Sequence, residues 1–140
     1  MQFSKRLRAL RSKSFDSNVL IVAIDADKKT VQERKLQFDD ACNAVEIETR
    51  TEDDKLLIFI PKRNIETWIK YFDGDIVDEE HDYAHYLNGH ESDCYSAADK
   101  MAESFSADIF SSRLPALNDA YNEFCSLVSL LNAVSDRDQN

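Results

Sequence analysis

Apolar residues along this chain fall into two short unbroken runs, separated by stretches with helical spacing. The runs are Val19–Ile24 and Leu56–Ile60. Both are rich in Val, Ile and Leu without alternation, the pattern of a parallel strand buried on both faces. The first strand is predicted over Asn18–Ile24, and the second stops at Pro61. Around them the period changes. Phe3, Leu7 and Leu10 recur at i, i+4, i+7 and predict a helix over 3–12 with a basic outer face. Thr30-Val-Gln-Glu33 has the form of a capping box. A helix follows to about Asn43, with Val31, Phe38, Cys42 and Val45 as its inner stripe. Residues 45–49 (VEIET) alternate and predict a short, weak strand.

After the second run, Asn64 is a good helix N-cap. Ile65, Trp68, Ile69 and Phe72 make the apolar face of that helix, with Trp68 expected to be buried, and Gly74 ends it. The acidic stretch to about Glu91 predicts a loop. Tyr95–Phe105 is predicted to be helical. Pro115 suits the first position of a last helix carrying Leu117, Tyr121, Phe124, Val128 and Leu131. The order of elements is that of an α/β fold with a small, mainly parallel sheet, flanking helices and a helical C-terminal part. A single domain over 1–140 is expected, with a basic helix in 1–14, a core in 15–80, and an acidic loop and helices in 81–140. Two parallel strands rarely form a stable sheet by themselves. Self-association or a protein partner is therefore expected, through a free strand edge or through the Leu117–Leu131 stripe.

Composition adds limits. At 140 residues, 43% hydrophobic and 31% charged, the chain reads as globular. No apolar run reaches the roughly 20 residues of a membrane span, and the first residues lack the apolar stretch of a secretion signal. Cys42, Cys94 and Cys125 form no metal-binding spacing, which fits reduced thiols and a cytoplasmic location. A net charge of −10 argues against broad nonspecific binding to nucleic acid. The charge is uneven. Lys5, Arg6, Arg8, Arg11 and Lys13 carry the first 13 residues without an acid, whereas 73–93 hold eight acids and no Lys or Arg. The first region suits a phosphate and the second a cation. With only Gly74 and Gly89 present, a glycine-rich nucleotide cradle is excluded. His81, His85 and His90 lie in the acidic loop and are expected to be exposed and to share no metal.

The candidate chemistry sits where the first run ends, at Asp25-Ala26-Asp27. In open parallel sheets, ligands bind beyond the carboxyl ends of the strands. Two hard carboxylates at the carboxyl end of a central strand, completed by water and substrate phosphates, suit Mg²⁺ or Mn²⁺. The second run ends in "IPKRNIETWIKYF", which brings Lys62, Arg63 and Glu66 toward the same edge. Lys62 and Arg63 are candidate phosphate ligands. Glu66 sits in a first helical turn, where the dipole favours a carboxylate. It is also a third acid beside the metal.

The ordered motifs "VLIVAIDAD", "VQER" and "IPKRNIETWIKYFDG" resemble bacterial TOPRIM-like proteins, related to the topoisomerase–primase domain. They are similar to the nuclease domains of overcoming-lysogenization-defect proteins, found among phage-defence genes. The resemblance covers about residues 15–80. It implies Mg²⁺-dependent phosphodiester chemistry on nucleic acid, with Asp25 and Asp27 as the D-x-D metal pair and Glu66 as the acid that follows the next strand. The family also places a strand ending in glutamate ahead of the D-x-D. Here the residues before Asp25 hold a basic helix instead, so that first strand and its glutamate are expected to be absent. Two functions follow: a metal-dependent nuclease or phosphotransferase, or an inactive or split relative acting through protein–protein contacts.

Overall fold

The computed structural model describes residues 2–13 and 17–140, so the boundary expected at 14–15 falls outside the described residues. Its elements are α1 (Phe3–Ser12), β1 (Leu20–Ala23), α2 (Val31–Asn43), β2 (Leu56–Phe59), α3 (Glu66–Phe72), α4 (Tyr95–Phe105) and α5 (Pro115–Asp138). A 3-10 turn, Glu91–Cys94, leads into α4. The class is α/β. β1 and β2 pair in parallel, Leu20 opposite Leu56 and Ala23 opposite Phe59, and they are the only strands among the described residues. No helix among those residues is long and apolar enough to cross a membrane.

The helix signals act locally. Thr30 Oγ1 accepts the Glu33 N–H at 3.1 Å while the Glu33 carboxylate accepts the Thr30 N–H at 2.6 Å, closing the capping box of α2. Just past the end of α3, Gly74 takes φ +101°, a left-handed conformation that costs glycine little. Asn64 does not cap that helix: its side-chain amide donates to Asp82 instead, at 2.7 Å.

Each face of the strand pair meets a different core. Leu20, Val22, Leu56 and Ile58 face Phe3 and Leu7 of α1 and Phe38 and Cys42 of α2. The Phe3 and Phe38 rings lie 4.5 Å apart between centroids. On the other face Phe59 joins Trp68, Phe105, Leu114, Leu117 and Ala120 of the later helices. Only the β2 half of that second face is covered. Ile21 is 64% exposed and Ala23 is exposed too. β1 is thus an edge strand and not a central one buried on both faces. A local apolar run reports the burial a strand can accept, not whether a neighbour arrives to provide it.

Other departures share that origin. Residues 45–49 form no strand: Glu46 turns the chain at φ +54°, Val45 is 48% exposed, and Ile47 packs on the first core. The carbonyls of Glu48 and Thr49 are taken by Arg11, at 2.7 and 2.8 Å. Arg11 therefore turns inward, while Lys5, Arg6 and Arg8 keep the outer face of α1 basic. Ile65 and Val128, 40% and 37% exposed, lie at the margins of their stripes.

Arg11 also holds buried Asp54 through a two-pronged pair at 2.8 and 2.7 Å, and Asp54 accepts the Thr51 N–H at 2.9 Å. Burial pushes the Asp54 carboxyl up, but the Arg11 and Thr51 bonds outweigh it and hold the group below its ordinary range. A depressed carboxylate stabilises the fold above its unfolded pKa and loses that contribution as pH falls through the folded value. Asp54→Asn is expected to cost about 2–3 kcal/mol near neutral pH, below the range for a fully buried pair because Arg11 is partly exposed. Urea unfolding should show the gap to wild type closing below the ordinary carboxylate range; an equal gap at all pH values would contradict this.

Candidate functional site

Beyond β1 the chain stays zipped to the chain beyond β2. Ile24 N–H donates to the Phe59 carbonyl, Ala26 N–H to Pro61 at 2.8 Å, and Asp27 N–H to Arg63 at 3.0 Å. Fully buried Ala26 anchors the loop between half-buried Asp25 and exposed Asp27. Asp27 and Arg63 face each other in an isolated antiparallel bridge, and both take left-handed φ, +54° and +65°. Such a conformation costs a non-glycine residue on the order of 1 kcal/mol, and residues of this kind cluster at working sites.

The half-buried Asp25 carboxylate lies within the electrostatic pull of the Ile65 N–H at the entry to α3. Its pKa is raised, first by burial and then by the negative charges of Glu66 and Asp27, against the pull of the Ile65 N–H and Arg34. The three predicted acids thus lie within electrostatic reach of one another. Reach is not coordination. Among the described residues no group of three or more His, Cys, Asp or Glu is close enough to hold a metal together. A divalent ion here would be held by Asp25 and Asp27 with water or phosphate oxygens, and not by all three acids.

Two groups at this edge escaped the sequence reading. Arg34 donates to Asp27 Oδ2 at 2.6 Å and to Gln37 at 3.1 Å, and its Nε is buried without a partner. A cation in the first turns of a helix opposes the dipole, a signal that it serves something other than the helix. Glu80 lies 3.6 Å from Lys62 Nζ and 3.7 Å from an Arg63 terminal nitrogen. Lys62 also donates to the Lys29 carbonyl at 3.3 Å. The two proposed phosphate ligands are at the expected edge, but an exposed glutamate from the acidic loop partly neutralises both.

Lys62 links this edge to a cleft of about 330 Å³ lined by Thr30, Gln32, Glu79, Glu80 and Pro115, among others. Buried Glu79 caps α5 from 37 residues away, accepting the Ala116 N–H at 3.1 and 3.2 Å. Burial raises its pKa against those bonds. The buried Trp68 indole N–H acts on the same carboxylate electrostatically, without reaching hydrogen-bond geometry. His81, His85 and His90 are exposed on the loop nearby.

No family model, curated protein or solved structure matches this chain.

Proposed function

We propose that the chain is a TOPRIM-like protein in which Asp25 and Asp27 hold Mg²⁺ or Mn²⁺ and phosphodiester bonds of nucleic acid are processed beside them. The observation that carries this reading is Asp25: a half-buried carboxylate at a strand's carboxyl end, crowded by Glu66 and Asp27. A fold keeps mutually repelling acids in a strained loop at a cost, and a bound cation removes that cost. A divalent ion there supplies charge neutralisation and acidifies a bound water. Glu66, whose charge reaches Asp25, is the group that accepts a proton in this reading. Lys62 and Arg63 bind phosphate once Glu80 swings off them, which its exposure permits. Arg34 holds Asp27 in position through one oxygen and leaves the other for a ligand. Phage defence as the setting rests on the motif resemblance alone.

A second reading has its own support. Glu80 occupies the cations and Arg34 one acid, so the site as it stands is partly self-satisfied. That favours a noncatalytic accessory protein. Titration with Mg²⁺ and Mn²⁺, paired with cleavage assays on single- and double-stranded DNA and RNA, decides. The proposed activity predicts saturable metal binding, and a loss of several kcal/mol of transition-state stabilisation in Asp25→Ala/Asp27→Ala, about 100-fold or more in rate. Metal binding without cleavage would support the accessory role, and absence of both would sink the metal site.

A further inference from the structure

We infer that two copies of this chain join antiparallel through the free edge of β1, about a two-fold axis at Val22. The inference stands whether or not Asp25 and Asp27 hold a metal. Leu20 and Ile24 donate their N–H groups to the Lys55 and Phe59 carbonyls of the β2 side. Backbone groups alternate along a strand, so those of Ile21 and Ala23 point to the opposite edge, where no strand pairs among the described residues. That edge carries none of the usual protections: Val19–Ile24 contains no Lys, no Pro and no charge. It opens onto a groove of about 470 Å³, flanked by Gln2, Phe3 and Arg6 of the α1 end and by Phe38.

A second copy fits this edge for reasons of register and charge. With the axis at Val22, Ile21 lies opposite the partner's Ala23, and the two exchange both backbone bonds. The large exposed side chain of each copy then meets the small one of the other, on the face that α5 leaves uncovered. Moving the axis to Ala23 would instead set Ile21 against the partner's Asp25. Antiparallel pairing also carries the acidic Asp25–Asp27 end of one strand past the amino end of the other. Lys13 shares a cleft with Asn18 at that amino end, and Arg6 flanks the groove. The same cleft holds Asp53, Asp54 and Lys55, but Arg11 already pairs with Asp54, so in a chain of net charge −10 Lys13 and Arg6 are cations that can meet the acidic end of a like copy. The result is a four-stranded sheet with the order β2, β1, β1 of the partner, β2 of the partner. A stable interface needs about 1,200 Å² in total. A strand this short supplies only part of that, so the α1 flanks must complete it and the dimer is concentration-dependent.

Sedimentation velocity over a wide concentration series tests this. Wild type is expected to shift from 16.1 kDa toward twice that mass. Ile21→Lys is expected to weaken the dimer at least about tenfold. Ala23→Pro, which removes an edge-facing N–H and spares the β2 ladder, should do the same. Circular dichroism checks that both remain folded. Val128→Lys, on the exposed α5 margin, should leave the dimer intact. A wild type that stays monomeric overturns the proposal. So does a dimer that survives Ile21→Lys, or one that only Val128→Lys breaks.

Discussion

On the proposed function, Asp25→Asn is expected to lower Mg²⁺-dependent cleavage by about 100-fold or more and, at the same time, to raise thermal stability. The two effects have one cause. Burial and the charges of Glu66 and Asp27 raise the Asp25 pKa, so its ionised form weakens the fold at neutral pH. The sign follows from linkage. A carboxyl whose folded pKa lies above its unfolded value contributes stability that is fully present below the unfolded value and lost as pH rises through the folded one. Asparagine has nearly the same shape and keeps an oxygen within the pull of the Ile65 N–H, but it carries no charge to crowd Glu66. The gain should be modest, about 0.5 kcal/mol, because Asp25 is only half buried. It should vanish in acid, where wild-type Asp25 is protonated. Thermal melts across pH, with and without Mg²⁺, read both effects; metal should raise the melting point of wild type and leave that of Asp25→Asn unmoved. A destabilised variant that keeps its activity would show that Asp25 is a structural residue.

Trp68→Ala is expected to cost about 3–5 kcal/mol, a large share of the roughly 5–15 kcal/mol that holds a domain of this size together. Trp68 is 1% exposed and packs edge-on against Phe59, with the ring centroids 6.2 Å apart. It joins α3 to β2 and to the core that α4 and α5 share. Its removal leaves a cavity at that junction and takes a neighbouring N–H from buried Glu79. Urea unfolding must be followed by far-UV circular dichroism, since Trp68 is the only tryptophan. Trp68→Phe, which keeps much of the volume, should cost less than half as much. A loss below about 1 kcal/mol for Trp68→Ala would mean that the helices dock without it.

Local chemistry was enough to read much of this protein from its sequence. The Thr30–Glu33 capping box, the period of α1, the span Tyr95–Phe105, Pro115 at the start of α5 and the two parallel strands are all present in the structure. Each depends on neighbours within a turn or two, or on an unbroken run of apolar residues. The placement of Asp25 and Asp27 at a strand end was legible for the same reason, because the apolar run stops at them. What tertiary structure decided involves partners distant along the chain. Asn64 has the chemistry of a cap, yet Asp82 takes its side chain. Arg11 looks like one more surface cation, yet Asp54 and two carbonyls draw it inward. Glu79 and Glu80 belong to one acidic run. The first ends up buried under α5 and the second over Lys62 and Arg63, because the loop folds back across the sheet's carboxyl end. Whether Ile21 is covered cannot be written in the composition of β1, since covering it takes another element. Hydrophobic period specifies which side chains seek burial, and only the packing of distant segments settles which of them find it.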